Sequence, residues 1–341
     1  MQIIISVILT LVMFFGNRTF LMAFGASKNT IEYAVSYMNI YSLGTIFVQL
    51  TLGMNTFITA QGFAKTGMYS VLIGAVINII LDPILIFGYF GLPAFGVAGA
   101  AIATVIGQFS AASLAFVLFK KYNTHLHISF KKFRVDFHVI SQLYSIAIPS
   151  SVMMCLPSVL VSLLNGILSS ISQSAVAFFG VYYKLQTFIY MPTSGIVQGM
   201  RPLMSYNYGS KLKERMHQIL KVSGLVIAAI LGAGTLLFFI VPNVLLSLFN
   251  ASSGMLEIGE TGLRILSLSF IVSSFGVLMS GVFEALGLGK YSLIVSLLRQ
   301  LLITVPLAYI LLNVMGIEGI WLSFVIAEAI ASIVAYILYR K

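Results

Sequence analysis

Ten apolar runs of roughly twenty residues or more follow one another along this chain, separated by short polar breaks. That succession decides most of what the chain can fold into, because a helix needs about 20 mostly apolar residues to cross the hydrocarbon core of a bilayer. The runs cover roughly 3–24, 34–60, 68–90, 96–119, 139–170, 174–200, 217–241, 262–286, 291–313 and 317–339. They are continuous and too long for the alternating strands of a barrel. The expected fold is therefore an all-α integral membrane bundle of about ten transmembrane helices. Charge usage agrees, since 8% of the 341 residues are charged, against about a quarter in soluble domains. Residues 3–15 are apolar enough for a signal-peptide core, but no small-residue cleavage site follows them. The single Cys155 has no partner for an internal disulfide.

Nineteen Lys and Arg against nine acids give a net charge of +10. A nucleic-acid partner is not implied, because these residues sit in short segments between apolar runs, where they orient the chain in the bilayer. With Met1 in the cytoplasm, the cytoplasmic segments carry Lys65, Lys120, Lys121, Lys131, Lys132, Arg134, Lys211, Lys213, Arg215, Lys290, Arg340 and Lys341. The opposite side holds Lys28 and, at a span boundary, Arg264. The expectation is a multi-pass plasma-membrane protein with both termini cytoplasmic. Membrane lipid is its expected partner, and the chain is expected to be monomeric. The basic connection 121–138 reads as a cytoplasmic linker between a first bundle of four spans, 1–120, and a second of six, 139–341. His125, His127 and His138 near it match no metal-ligand spacing, so an interfacial linker is preferred to a metal or headgroup site.

The two bundles are related by an internal repeat. Phe24, Ala26, Ser27 and Glu32 recur as Phe249, Ala251, Ser252 and Glu257, Tyr69-Ser70 as Tyr291-Ser292, and Gly96-Val97-x-Gly99 as Gly316-Ile317-x-Gly319. The matches are ordered and fall at equivalent span boundaries. Both copies start on the same side, which describes a parallel repeat about an axis along the membrane normal, a transporter architecture. The four spans of the first copy match the last four of the second, so symmetry leads us to expect two further spans before Met1.

No Walker loop, HExxH, GxSxG or Cys/His cluster of metal spacing occurs, so neither enzymatic chemistry nor ATP hydrolysis is expected, and no cofactor beyond a coupling ion. Attention falls on polar groups inside spans, where a charge costs about 2.5–3.5 kcal/mol. Asn78 and Asp82 lie four residues apart on one helix face, and Pro83 frees a carbonyl nearby by removing a donor. A carboxylate, an amide and a free carbonyl suit a hard cation or a proton, although an acid at the outer interface is the alternative. Thr104 supplies a hydroxyl among small residues, or merely bonds its own helix. Tyr37 is a further polar candidate or an aromatic-belt residue. In the second repeat Gln300 and Thr304 stand opposite Asn78 and Asp82, so coupling is expected to be asymmetric. Second-bundle polar candidates are Glu284, Glu328, Lys184 and Arg299. Glu284 is expected to pair with Lys290 at the cytoplasmic interface, while Glu328 faces either Arg299 or a cavity. Pro149, Pro157, Pro192, Pro202 and Pro306 mark places where spans bend.

The run Tyr37-Met-Asn-Ile-Tyr-Ser-Leu-Gly44, the segment Asn78-xxx-Asp82-Pro83 and Gly96-Val-Ala-Gly-Ala-Ala-Ile-Ala-Thr104 resemble the first bundle of multidrug and toxic compound extrusion (MATE) transporters. Gly195-Ile-Val-Gln-Gly-Met-Arg201-Pro202-Leu-Met-Ser-Tyr-Asn207-Tyr-Gly209 resembles the second-bundle motif of the same family. The resemblance implies twelve spans in two six-helix bundles, a central cavity, and export of organic, often cationic, compounds in exchange for protons or sodium. It also implies a first-bundle ion site whose matching positions are Asn78, Asp82, Thr104 and Tyr37, with sodium at Asp82 as the one metal to consider. The ten spans here would be the family's third to twelfth, and the family's first-span Asp has no counterpart. The alternatives are a flippase for a lipid-linked precursor, which needs a more cationic cavity than Lys184, Arg299 and Arg201 provide, and a non-transporting membrane protein.

Overall fold

The computed structural model describes residues 2–23, 30–122 and 136–340. The chain divides into two compact units, Met1–Phe133 and Arg134–Lys341. In the first lie α1 (Gln2–Ala23), α2 (Ile31–Leu43), α3 (Thr45–Ala60), α4 (Ala64–Phe87) and α5 (Val97–Tyr122). The second holds α6 (Phe137–Ser169), α7 (Gln173–Gly209), α8 (Lys213–Ile240), the short α9 (Pro242–Ser247), α10 (Ser253–Ala285), α11 (Gly289–Leu297), α12 (Thr304–Met315) and α13 (Ile317–Arg340). No strand occurs among the described residues. Lys28, Lys131, Lys132, Arg134, His125, His127 and the Phe24-Ala26-Ser27 part of the repeat fall outside them, as does most of the basic connection.

Eight helical segments among the described residues are long and apolar enough to cross a bilayer, and α2 with α3 makes a ninth, bent by 45°. The tenth run is α7, which at 37 residues is long enough but carries Lys184, Gln186, Gln198, Arg201 and Asn207 along its length, too many polar groups to register by apolarity alone. The bend between α2 and α3 falls at Gly44, and there the Ser42 carbonyl accepts the Thr10 hydroxyl at 2.9 Å. The α4 helix runs through Pro83, α6 through Pro149 and Pro157, and α7 through Pro192 and Pro202.

Packing inside each unit follows one plan. In the first, α1 lies on α2 and α3, which lie on α5, which packs along α4; in the second, α8 lies on α10, which lies on α13, which packs along α12. The repeated glycine motif shows why its residue type is needed. Gly96 and Gly316 take positive φ, +55° and +68°, where a side chain would strain the turn. Three residues on, a Cβ at Gly99 would strike the Leu85 carbonyl, and one at Gly319 the Leu311 carbonyl. Gly99→Ala is expected to lower stability by about 1–3 kcal/mol through overpacking. Gly166→Ala, where nothing among the described residues lies within 4 Å, should be neutral or slightly stabilising. Melting curves of the two purified variants check this.

The copies differ between α11 and α12, and also where α2 and α3 bend at Gly44 while α10 runs unbroken. Leu298–Leu302 form a π turn between α11 and α12, closed by the Ile303 N–H on the Leu298 carbonyl at 3.2 Å. Such a turn holds one more residue than an α turn. Accordingly Tyr69 and Tyr291 are 222 residues apart, whereas Pro83 and Pro306 are 223 apart. Val305, not Thr304, therefore stands opposite Asp82, and Thr304 instead donates its hydroxyl to the Arg299 carbonyl at 2.5 Å. The expected asymmetry of acids holds with the corrected register.

The cores differ in kind as well. Small residues pack α5, with Ala101, Ala103, Ala111, Ala112 and Ala115 buried, the usual means of close helix approach in lipid. Around α10 the second unit buries large rings instead. Phe178 meets Trp321 edge-on at 5.1 Å between centroids, and Tyr182 stacks on Phe270 at 6.4 Å.

Candidate functional site

Two glycines bring α4 and α5 together. A Cβ on Gly107 would lie 2.7 Å from the Gly74 carbonyl, and one on Gly74 2.8 Å from the Gly107 carbonyl. That approach sets Asn78, one turn beyond Gly74, against Thr104 on α5. Asn78 Nδ2 donates to Asp82 Oδ1 at 3.2 Å and to Thr104 Oγ1 at 3.4 Å. The Thr104 hydroxyl donates to the Ala100 carbonyl at 2.9 Å, so the two readings of this residue are compatible. Pro83 offers no N–H to the Ile79 carbonyl. The Asp82 carboxylate, the Asn78 amide group and the Thr104 hydroxyl thus converge, and Asp82 belongs to no ion pair among the described residues; the carboxylate and hydroxyl oxygens suit a proton or a hard monovalent ion.

Beside this cluster is a cavity of about 280 Å³ lined by Asn78, Thr104, Thr51 and Gln108, among others. Gln108 Oε1 is buried without a hydrogen-bond partner among the described residues. Sequence reading missed Gln108, although it lies four residues from Thr104 on the same face of α5. A Cβ on Gly44 would collide with the Gln108 side chain and come within 3.0 Å of Val105. The bend at Gly44 therefore rests directly on the stretch of α5 that carries Thr104. Tyr37 stands apart. It lines a separate apolar cavity with Tyr33, Tyr41 and Val97 and stacks on Tyr41 at 5.8 Å.

In the second unit the sequence-derived candidates sort into three places. Glu284 Oε2 pairs with Arg201 at 2.7 Å, not with Lys290 as its neighbourhood in sequence suggests. The Ser205 hydroxyl donates to the Ala285 carbonyl at 2.6 Å and draws α7 onto α10, while Gly287, at φ +76°, turns the chain away before Lys290. Glu284 Oε1 further accepts from Ser292 at 3.2 Å. Glu328 faces Arg299, whose Nη2 and Nε reach its Oε1 at 2.8 and 3.0 Å. Lys184 is exposed on α7 and belongs to no ion pair among the described residues. Glu328 follows Gln108 by 220 residues, the spacing that relates Gly96 to Gly316. The two cavity-facing polar groups are thus repeat equivalents.

Comparison with known proteins places this architecture. The multidrug export protein MepA of Staphylococcus aureus is 27% identical over 314 residues, covering 92% of this chain and 68% of that protein. The protein of the same name from Staphylococcus saprophyticus is 26% identical over 336 residues, 98% of this chain and 73% of that one. Among solved structures, a MATE protein in its bent conformation superposes with a TM-score of 0.90 at 24% identity, covering 99% of this chain and 75% of that one. An outward-facing multidrug resistance MATE transporter of the MOP superfamily gives 0.89 at 24% identity, covering 99% of this chain and 76% of that one. A model of the MatE family matches residues 1–84 and 149–310, which take in Asn78, Asp82, Arg299 and the whole of α7, so the chain belongs to the MatE family of membrane transporters.

Proposed function

We propose that this protein is a cation-coupled exporter of organic, often cationic, compounds, and that Asn78, Asp82 and Thr104 form the coupling-ion site. Family membership and the names of the staphylococcal relatives support the export reading. The observation that carries the coupling is the convergence of Asp82, Asn78 and Thr104 beside the bend at Gly44.

The mechanism follows from charge and packing. With Asp82 ionised, its carboxylate holds the Asn78 amide and leaves an acceptor for an ion. A proton or sodium ion cancels the charge, so that the Asn78 amide is free to turn its oxygen toward Asp82 and the Thr104 oxygen joins it. Either change alters the forces between α4 and α5, and α5 carries Val105 and Gln108 against Gly44. The bend of α2 on α3 is then the element that responds, and ion and drug favour opposite settings of it. Only such differential binding can drive an alternating-access cycle. Basic segments on one side orient both termini to the cytoplasm of the plasma membrane, so drug leaves outward as the ion enters.

Ethidium efflux from cells expressing the chain, with the proton and sodium gradients collapsed in turn, tests this reading. Loss of efflux on one collapse names the ion; efflux that survives both contradicts coupling. Thr104→Val keeps the shape and removes one oxygen. It is expected to raise the ion concentration for half-maximal efflux about fivefold, the worth of roughly 1 kcal/mol for one hydrogen-bonding group. Ion titration of initial efflux rates gives the number.

A further inference from the structure

One end of the second unit brings basic side chains and an apolar wall together. The α8 helix opens on Lys213-Glu-Arg-Met-His217, and its uninterrupted apolar body begins only after Lys221. In residues 211–221 the cations Lys211, Lys213, Arg215 and Lys221 stand against a single acid, Glu214. None of these five belongs to an ion pair among the described residues. Lys213 and His217 are four residues apart on one face of the helix. With Glu214 they border a cavity of about 620 Å³, whose walls include Met204 of α7, Leu220 of α8, Leu286 just beyond α10 and Tyr339 of α13.

Basic side chains at the mouth of an apolar cavity suit an amphiphile with an anionic head. The end of a span is where such a molecule lies, and basic pockets between helices at that level hold phosphate-bearing headgroups. A soluble anion would use the charges and leave the apolar walls in water. A neutral lipid would cover the walls and leave the charges unanswered. We propose that this cavity binds one anionic phospholipid. Its phosphodiester oxygens accept from Lys213 and His217, and the upper part of an acyl chain lies on Met204, Leu220 and Leu286. Glu214, the one acid at the rim, opposes the headgroup. Because the walls come from four parts of the chain, the lipid ties the start of α8 to α7 and to the ends of α10 and α13. The proposal goes beyond the exporter reading and is independent of the ion site in the first bundle.

The test is equilibrium binding of two tail-labelled fluorescent lipids, phosphatidylglycerol and the zwitterionic phosphatidylcholine, to the purified full chain in detergent. Wild type is expected to bind phosphatidylglycerol at least about fivefold more tightly, the worth of one basic residue at an anionic headgroup. The double variant Lys213→Gln with His217→Gln should abolish that preference, and both positions are exposed, so the fold is left in place. Glu214→Gln should strengthen phosphatidylglycerol binding about twofold, the scale of a surface charge. Leu286→Trp keeps every charge but fills the cavity, and should weaken binding of both lipids. Lys120→Gln with Lys121→Gln, at the basic end of α5, should alter neither affinity. Equal wild-type affinity for the two lipids would overturn the proposal, as would a preference that survives the loss of Lys213 and His217. Undiminished binding in Leu286→Trp would also overturn it, because the cavity would then be idle. So would loss of the preference in the Lys120 and Lys121 variant, the outcome if diffuse positive charge and not a site attracts the lipid.

Discussion

Asp82→Asn is expected to reduce gradient-driven efflux to the level of cells lacking the protein while leaving its amount in the membrane unchanged. Asparagine has nearly the shape of aspartate and keeps an oxygen for the Asn78 amide, now at 3.2 Å from Asp82 Oδ1. What it lacks is a charge and a site for a proton. Pro83 and the packing of α4 on α5 are untouched, so the effect should be on coupling and not on folding. Efflux assays on cells matched for membrane-inserted protein, together with equilibrium binding of drug, separate the two. Retained efflux in Asp82→Asn would place coupling elsewhere.

The largest effect on stability is expected at the other buried charge. Arg299→Met removes the only cation within reach of Glu328 that the described ion pairs provide and leaves a carboxylate 10% exposed inside the second unit. Stranding one partner of a buried pair costs about 3–5 kcal/mol. The purified variant should therefore show a much lower apparent melting temperature than wild type. Adding Glu328→Gln to Arg299→Met removes the stranded charge and should recover most of the loss. A single variant as stable as wild type would mean that Glu328 finds another donor or takes up a proton without penalty.

How much of this was legible in sequence depended on the scale of the signal. Apolar runs of twenty residues fixed helices and their order, because nothing else satisfies a backbone in lipid. The glycine repeat at 96–99 and 316–319 was legible because positive φ and a carbonyl in the place of a Cβ leave no other residue type. Asn78 and Asp82 were found together by their spacing on one helix face, and Thr104 by its place among small residues. The π turn was not legible, since one extra residue in an apolar helix leaves the periodicity nearly unchanged. With it went the register of Thr304 and the reason Arg299 meets Glu328. Pairing across helices was equally hidden. Lys290 is near Glu284 in sequence, yet Arg201, on α7, is the residue that meets it. Gln108 went unremarked because a lone amide in a span carries no signal until a cavity is seen beside it.

The central claim is that drug and coupling ion exclude each other through Asp82. The most direct measurement adds ethidium to purified protein in weakly buffered solution and records the ion released, as proton or, in sodium medium, as sodium. Wild type is expected to release about one ion per chain, as a single ionisable carboxylate would, and Asp82→Asn none. Equal release from the two proteins, or drug binding with no release from wild type, would contradict the account.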